Sequence, residues 1–179
     1  DSRPVSEDLR RMLMELAALT DKLTVEWTPP SDGPERPCVR VLRADGADTG
    51  IAFHGVPGGH EFNSFVVGLY NAAGPGQSID PALAEAIAAI DRPLDLQIVV
   101  ALSCTMCPEL VIAAQKIAAS NPLVTAKVYD VNHFPELRER YKIMSVPCLI
   151  INKAKVAFGK KTLGQLLELL AEPESGQTG

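Results

Sequence analysis

Residues 96–108 read LQIVVALSCTMCP, and this stretch decides the fold prediction. Its first seven residues, Leu96–Leu102, form an apolar run that only Gln97 interrupts and that is rich in β-branched side chains, which is typical of a strand buried on both faces. Cys104 and Cys107 follow at a spacing of three, and the pattern of residues 109–119 predicts a helix. A buried strand that leads through a CxxC into a helix indicates an α/β protein.

The rest of the second half continues this alternation of strand and helix patterns. Further strands are predicted at Leu123–Tyr129, Cys148–Asn152 and Lys155–Phe158, and further helices at Phe134–Tyr141 and Thr162–Leu170. The last two strands are two residues apart, so they form a hairpin around Lys153. The order β-α-β-α-β-β-α predicts a mixed sheet covered by helices on both faces.

The first half repeats part of this order. Its patterns predict a helix at Glu7–Leu19, a strand at Leu23–Trp27, hairpin strands containing Val39–Leu42 and Ile51–Phe53, and a closing helix at Phe62–Ala72. Two copies of one supersecondary unit explain the repetition. The first copy begins at its helix, so it lacks both an opening strand and the loop in which a CxxC would lie.

A proline and a cysteine precede the hairpin in each copy, as Pro37-Cys38 and Pro147-Cys148. We therefore expect two fused folds with mixed sheets, the first one degenerate. The expected boundaries are residues 1–78 for the degenerate fold, 79–93 for a connecting helix, 94–171 for the fold that carries the CxxC and 172–179 for a linker-like tail.

Composition excludes several classes of function. The 179 residues carry a formal net charge of −5 and no basic block, so we expect neither a nucleic-acid nor a membrane partner. The longest uninterrupted apolar run is far too short to span a membrane. Four cysteines are too few for a disulfide scaffold. The expected location is the cytoplasm.

The CxxC is either a redox dithiol or half of a zinc site. The start of a helix stabilises a thiolate at Cys104, and the spacing of three places Cys107 on the same helix face. A zinc site needs a second ligand pair, but Cys38 and Cys148 are single cysteines and the three histidines form no pair. The pattern favours a redox dithiol, with a metal site or inert core cysteines as alternatives.

Residues 57–62, PGGHEF, form a third notable feature, a tight turn that leads into a helix. In a purely structural interpretation, the glycines allow the chain to form the turn. Glu61 is then a carboxylate in the first turn of the helix, where the helix dipole stabilises its negative charge.

Three stretches together carry a family resemblance: FHGVPGGHEF at 53–62, LSCTMCP at 102–108 and SVP at 145–147. The chain resembles the N-terminal domain of the flavoprotein subunit of alkyl hydroperoxide reductase, in which two thioredoxin-like folds are fused. The resemblance covers nearly all of residues 1–170. It implies that the first fold lacks a CxxC and that the second is active.

The resemblance also implies roles for individual residues. Cys104 would be the attacking nucleophile and Cys107 the resolving thiol, while Glu61 would project from the silent fold and tune thiol acidity. Val146 and Pro147, the latter after a cis peptide bond, would bind an extended substrate together with Thr105 and Met106. Those last two residues replace polar ones that relatives often carry, so the redox potential is expected to differ. Cys148 is expected to be a buried structural thiol, with a third redox thiol or a glutathionylation site as the alternative.

The implied function is an electron relay. A flavoprotein reductase module in the same full-length chain, using FAD and NAD(P)H, would reduce Cys104–Cys107, and the dithiol would then reduce a peroxiredoxin. No cofactor is expected in this chain itself, because no G-x-G-x-x-G follows a strand. Two alternatives remain: a free-standing glutaredoxin-like protein disulfide oxidoreductase, and a non-enzymatic docking or metal-binding module.

Overall fold

The computed structural model describes residues 3–29, 33 and 35–172. The strands in this part of the chain are β1 (Cys38–Leu42), β2 (Asp48–His54), β3 (Leu94–Val100), β4 (Val124–Asp130), β5 (Cys148–Ile151) and β6 (Lys155–Phe158). The helices are α1 (Pro4–Ala18), α2 (Glu61–Ala73), α3 (Pro81–Ala88), α4 (Cys107–Ser120), α5 (Pro135–Arg140) and α6 (Leu163–Ala171). Every helix predicted above is confirmed, and α4 begins two residues earlier than its pattern indicated.

The strands form a mixed sheet in the order β1-β2-β4-β3-β5-β6. β4 is parallel to both β2 and β3, whereas the other neighbours are antiparallel. The α/β class and the mixed sheet are confirmed. The two halves share one sheet, because β2 of the first half pairs with β4 of the second.

Alternating residues of the strands face two cores. The larger core joins Phe53, Ile98 and Leu149 to Phe65 of α2 and Leu110 of α4. The smaller one lies on the opposite face, where α5 and its flanking residues cover the sheet. Helices therefore cover both faces, as the element order predicts. α4 is buried on most of its surface, because it packs against the sheet on one side and α2 on the other.

The predicted hairpin around Lys153 is confirmed. Asn152 and Lys153 have φ angles of 51° and 59°. Positive φ at both central residues is the geometry of a type I′ turn, which the N–H of Ala154 closes on the carbonyl of Ile151 at 3.0 Å. β5 and β6 leave this turn in register, with Ile151 opposite Lys155.

The predicted strand at Leu23–Trp27 is wrong, since these residues form no strand. Their counterpart in the second half is β4, which pairs with β3. Residues 3–29 contain no strand equivalent to β3, in line with the expected lack of an opening strand. The segment Leu23–Trp27 therefore lacks the neighbouring strand with which it could form a sheet.

No helix among the described residues is long and apolar enough to cross a membrane. The predicted linker-like tail lies, from residue 173 onward, outside the described residues.

Candidate redox-active site

Cys104 and Cys107 form a disulfide where the loop after β3 enters α4. Their Cα atoms are 5.6 Å apart. Cys104 is half-buried, whereas Cys107, the first residue of α4, is 0% exposed. The sulfur of Cys104 is therefore the more accessible of the two to a partner protein.

The start of α4 creates a positive electrostatic potential beside the two cysteines. The first N–H groups of a helix have no intrahelical acceptor and carry the positive end of its dipole. A negative charge on a reduced Cys104 would lie beside this helix end, which favours the thiolate. The loop is closed by a hydrogen bond from the N–H of Cys104 to the carbonyl of Ala101, at 2.9 Å.

The Val146–Pro147 loop lies directly against the disulfide. The Sγ atom of Cys104 is 3.9 Å from the carbonyl oxygen of Val146. The peptide bond between Val146 and Pro147 is cis, which confirms the sequence prediction. Pro147 is buried, and its carbonyl accepts a hydrogen bond from the N–H of Gly159 at 2.9 Å. The N–H of Val146 donates no hydrogen bond within the described residues, so the backbone beside Cys104 is open.

The residues at the rim of this site are exposed. Thr105 and Met106 lie on the surface between the cysteines, and Met106 is 52% exposed. Met144, two residues before Val146, is 87% exposed. The sequence analysis did not single out Met144, although a large apolar residue in a polar loop is a usable signal. Exposed methionines suit recognition of varied protein surfaces.

Glu61 is the first residue of α2 and is 0% exposed. Its side chain shares a short hydrogen bond with the hydroxyl of Ser64, whose Oγ also contacts the Glu61 carbonyl at 3.0 Å. The other carboxylate oxygen, Oε1, has no hydrogen-bond partner within the described residues. Burial raises the pKa of Glu61 to about 7, and the Ser64 hydrogen bond opposes this shift. Sequence reasoning missed Ser64, although the spacing of three on a helix could have identified it.

The turn before α2 attaches the silent half to the CxxC loop. The N–H of His60 donates to the carbonyl of Leu102 at 3.0 Å. Gly59 has a φ of +54°, and a Cβ atom there would lie 2.5 Å from the same carbonyl oxygen. Only glycine permits this close approach. The starts of α2 and α4, with the buried Glu61 and Cys107, are thereby held on neighbouring elements.

The equivalent loop of the first half is closed. The Arg36–Pro37 bond is also cis, which the sequence analysis did not predict. The N–H of Arg36 donates to Gly33 at 3.0 Å, and its carbonyl accepts a hydrogen bond from Arg3. Both backbone groups of Arg36 are thus occupied, whereas the N–H of Val146 is open.

The remaining two cysteines are free thiols. Burial raises the pKa of Cys38, and the nearby Arg36 opposes the shift. Cys148 is 0% exposed, and burial raises its pKa to about 11. Its position in the core agrees with a structural thiol. The described part of the chain has no group of three or more His, Cys, Asp or Glu side chains placed to hold a metal ion.

Comparison with known proteins places these features in context. Residues 94–171 match the family model described as "Thioredoxin domain". The alkyl hydroperoxide reductase protein AhpF of Pseudomonas aeruginosa is 33% identical over 176 residues, which cover 98% of this chain and 33% of that protein. The chain therefore spans about a third of the length of this curated relative.

Solved structures of similar proteins have the same fold as this chain. The NTD_N/C domain of alkylhydroperoxide reductase AhpF from Enterococcus faecalis superposes with a TM-score of 0.90 at 38% identity, covering 95% of this chain and 86% of that one. A protein disulfide oxidoreductase from Aeropyrum pernix shares the fold, with a TM-score of 0.66 at 23% identity, over 75% of this chain and 58% of that one.

Proposed function

The chain belongs to the family of N-terminal domains of the alkyl hydroperoxide reductase protein AhpF, and from that membership we propose that it is a dithiol relay within a longer protein. A flavoprotein reductase module holding FAD and using NAD(P)H would supply electrons, and a peroxiredoxin disulfide would receive them. The observation that carries the proposal is the half-exposed Cys104 disulfide-bonded to a fully buried Cys107 at the start of α4.

The exchange proceeds in two displacements. The Cys104 thiolate attacks one sulfur of the partner disulfide, which forms a mixed disulfide and releases the partner's other sulfur as a thiolate. The Cys107 thiolate then attacks the Cys104 sulfur, which restores the Cys104–Cys107 disulfide and releases the second partner thiolate. The two released thiolates take up two protons, so the partner gains two electrons and two protons. The reductase module then returns two electrons to the relay.

Neighbouring residues position the partner and handle its protons. The open backbone of Val146 would pair with an extended segment of the partner, with Pro147 shaping the loop and Thr105 and Met106 contacting the same segment. Glu61 would take the proton that the buried Cys107 thiol loses, since a pKa of about 7 lets a carboxyl group exchange protons near neutral pH.

We also propose a cytoplasmic location, because NAD(P)H is the implied electron source. Residues 1–78 would form the silent fold and residues 94–171 the active one, joined through residues 79–93. The family model matches residues 94–171, which supports these bounds for the active fold.

Single-cysteine variants test the relay. The reduced chain, mixed with an oxidised peroxiredoxin, should reduce it with a stoichiometry of one disulfide per chain. Cys104→Ser should abolish the transfer, while Cys107→Ser should trap a mixed disulfide through Cys104, visible by mass spectrometry. Transfer that survives Cys104→Ser, or a trapped adduct at Cys38, would refute the assignment. The full-length protein with NADH then tests the flavoprotein donor separately.

A further inference from the structure

A pocket of about 300 Å³ opens between α4, α6 and the loop that precedes α3. Its floor includes Lys116 of α4, nine residues after Cys107, which is roughly 13 Å along the helix axis. Gln77 and Ser78 line one side and Ile112 and Leu163 another. The pocket is therefore separate from the disulfide site, although both lie on α4.

The side chain of Lys116 is largely buried, and its ammonium group reaches solvent without a partner in the described part of the chain. The residue is only 8% exposed, and its ammonium group has no hydrogen bond or ion pair within the described residues. The Nζ atom lies beside Gly76, the residue before the pocket-lining Gln77, and a Cβ atom at position 76 would be 3.3 Å from it. The nearby Asn71 Oδ1 already accepts the N–H of Gln77 at 2.8 Å. Burial lowers the pKa of Lys116, as expected for an uncompensated charge.

The start of α6 adds positive potential to the same pocket. Thr162 is the N-cap of this nine-residue helix and lines the pocket together with Leu163, the first helical residue. The first N–H groups of a helix attract anions. The N–H of Gln165 is taken by the Thr162 side chain at 3.3 Å, so the N–H groups of Leu163 and Gly164 remain for a ligand. The wall also contains the carboxylate of Glu109, but Lys160 pairs with it at 3.4 Å, so Glu109 does not neutralise Lys116.

The apolar part of the wall restricts the ligand further. Ile112 and Leu163 are partly buried and offer hydrocarbon surface in the pocket that Lys116 also lines. Small-molecule pockets typically combine apolar walls with a few placed polar groups, and about 300 Å³ is at the lower end of their volumes. The complementary molecule is therefore small, anionic at one end and apolar at the other.

We propose that this pocket binds a small aliphatic carboxylate. The carboxylate pairs with the Lys116 ammonium and the N–H groups of Leu163 and Gly164 at the start of α6, and the hydrocarbon lies against Ile112 and Leu163. This inference does not depend on the redox relay.

Nuclear magnetic resonance titration tests the proposal on the chain as it stands. Butyrate, added at constant ionic strength, should shift the amide signals of Gln77, Ser78 and Leu163 in a saturable manner. Lys116→Met keeps the aliphatic stem but removes the charge, and should weaken butyrate binding at least tenfold. Lys22→Met, which removes an exposed lysine far along the sequence, is the matched control and should leave binding unchanged.

Three probes separate the ligand classes. Butylamine should not shift these signals, because it carries the wrong charge, and inorganic phosphate should bind at least tenfold more weakly than butyrate, because it lacks hydrocarbon. Absence of saturable shifts with butyrate, equal binding by Lys116→Met, or phosphate binding as tight as butyrate binding would each overturn the proposal. A thermal melt of Lys116→Met verifies that the variant is folded, and removal of an unpaired buried charge should not lower its Tm.

Discussion

At the scale of single residues, Glu61 has the most informative environment. Its carboxyl group is fully buried, and burial raises its pKa from the ordinary value of 4.5 to about 7. A group with a raised pKa binds protons more tightly in the folded state than in the unfolded state. The stability associated with its protonated form is therefore present below the unfolded pKa and is lost as the pH rises to about 7.

Glu61→Gln should remove this pH dependence. The variant should gain up to about 3 kcal/mol of unfolding free energy relative to the wild type between about pH 4 and pH 8, because the glutamine never ionises. Urea denaturation across this range measures the difference. Glu139→Gln changes an exposed carboxylate of α5 and should show no such trend.

The same variant also tests the coupling of Glu61 to the dithiol. If the Glu61 carboxylate acts on the active site, Glu61→Gln should lower the apparent pKa of Cys104, since a negative charge disfavours a neighbouring thiolate. Thiolate absorbance of the reduced protein against pH gives this value. An unchanged titration curve would remove Glu61 from the site while leaving the stability prediction intact.

Cys38, unlike Glu61, is predicted to have no role in disulfide reduction. It follows the closed Arg36–Pro37 loop in the half without a CxxC, and burial raises its pKa. Cys38→Ser should therefore leave disulfide reduction within about twofold of the wild-type rate, a barrier change of under ~0.5 kcal/mol. A tenfold loss in a folded variant would mean that the first half takes part in the chemistry.

At the scale of structural elements, the turn before α2 positions the two helix starts. Gly59→Ala should destabilise the protein by about 3 kcal/mol, because the added methyl meets a backbone oxygen as well as a positive φ. Gly46→Ala is the matched control, since Gly46 has a φ of +83° but nothing within 4 Å of its Cβ position. Its cost should be about 1 kcal/mol. Disulfide-exchange rates should change only for Gly59→Ala.

Elements with local signals were predictable from the sequence. The apolar run of β3, the CxxC and the helix after it are adjacent in the chain, so their arrangement follows from short-range geometry. The hairpin around Lys153 is equally local. The segment Leu23–Trp27 has the same kind of alternating pattern as a strand, yet a strand also needs a hydrogen-bonding neighbour, which no local pattern reveals. The pairing of β2 with β4 was missed for the same reason.

The residues of the site also differ in whether the sequence alone predicts them. Cys104, Cys107 and Pro147 belong to recognisable motifs, and the structure brings them together. Ser64, Met144 and the contact between Gly59 and Leu102 depend on how α2 packs beside the CxxC loop. Packing of that kind joins residues that are tens of positions apart in the chain, so the sequence pattern does not show it.

At the scale of the whole molecule, the shared sheet should make the halves unfold together. Amides of β2 and β4 should exchange with solvent at opening free energies within about 1 kcal/mol of each other, measured by hydrogen exchange with mass spectrometry. Gly50→Ala should lower both values, because its methyl would lie 2.6 Å from the carbonyl oxygen of Val124 at the start of β4. A lower value in β2 alone would indicate two independent folding units.

The parallel pairing of β2 with β4 also bears on solubility. Without the first half, β4 would be an edge strand, with one side of its seven residues carrying unpaired N–H and C=O groups. Long exposed edges of this kind recruit strands from other molecules and lead to aggregation. The first half, which has no CxxC, therefore protects the β4 edge of the second half. The second half expressed without the first would be prone to self-association.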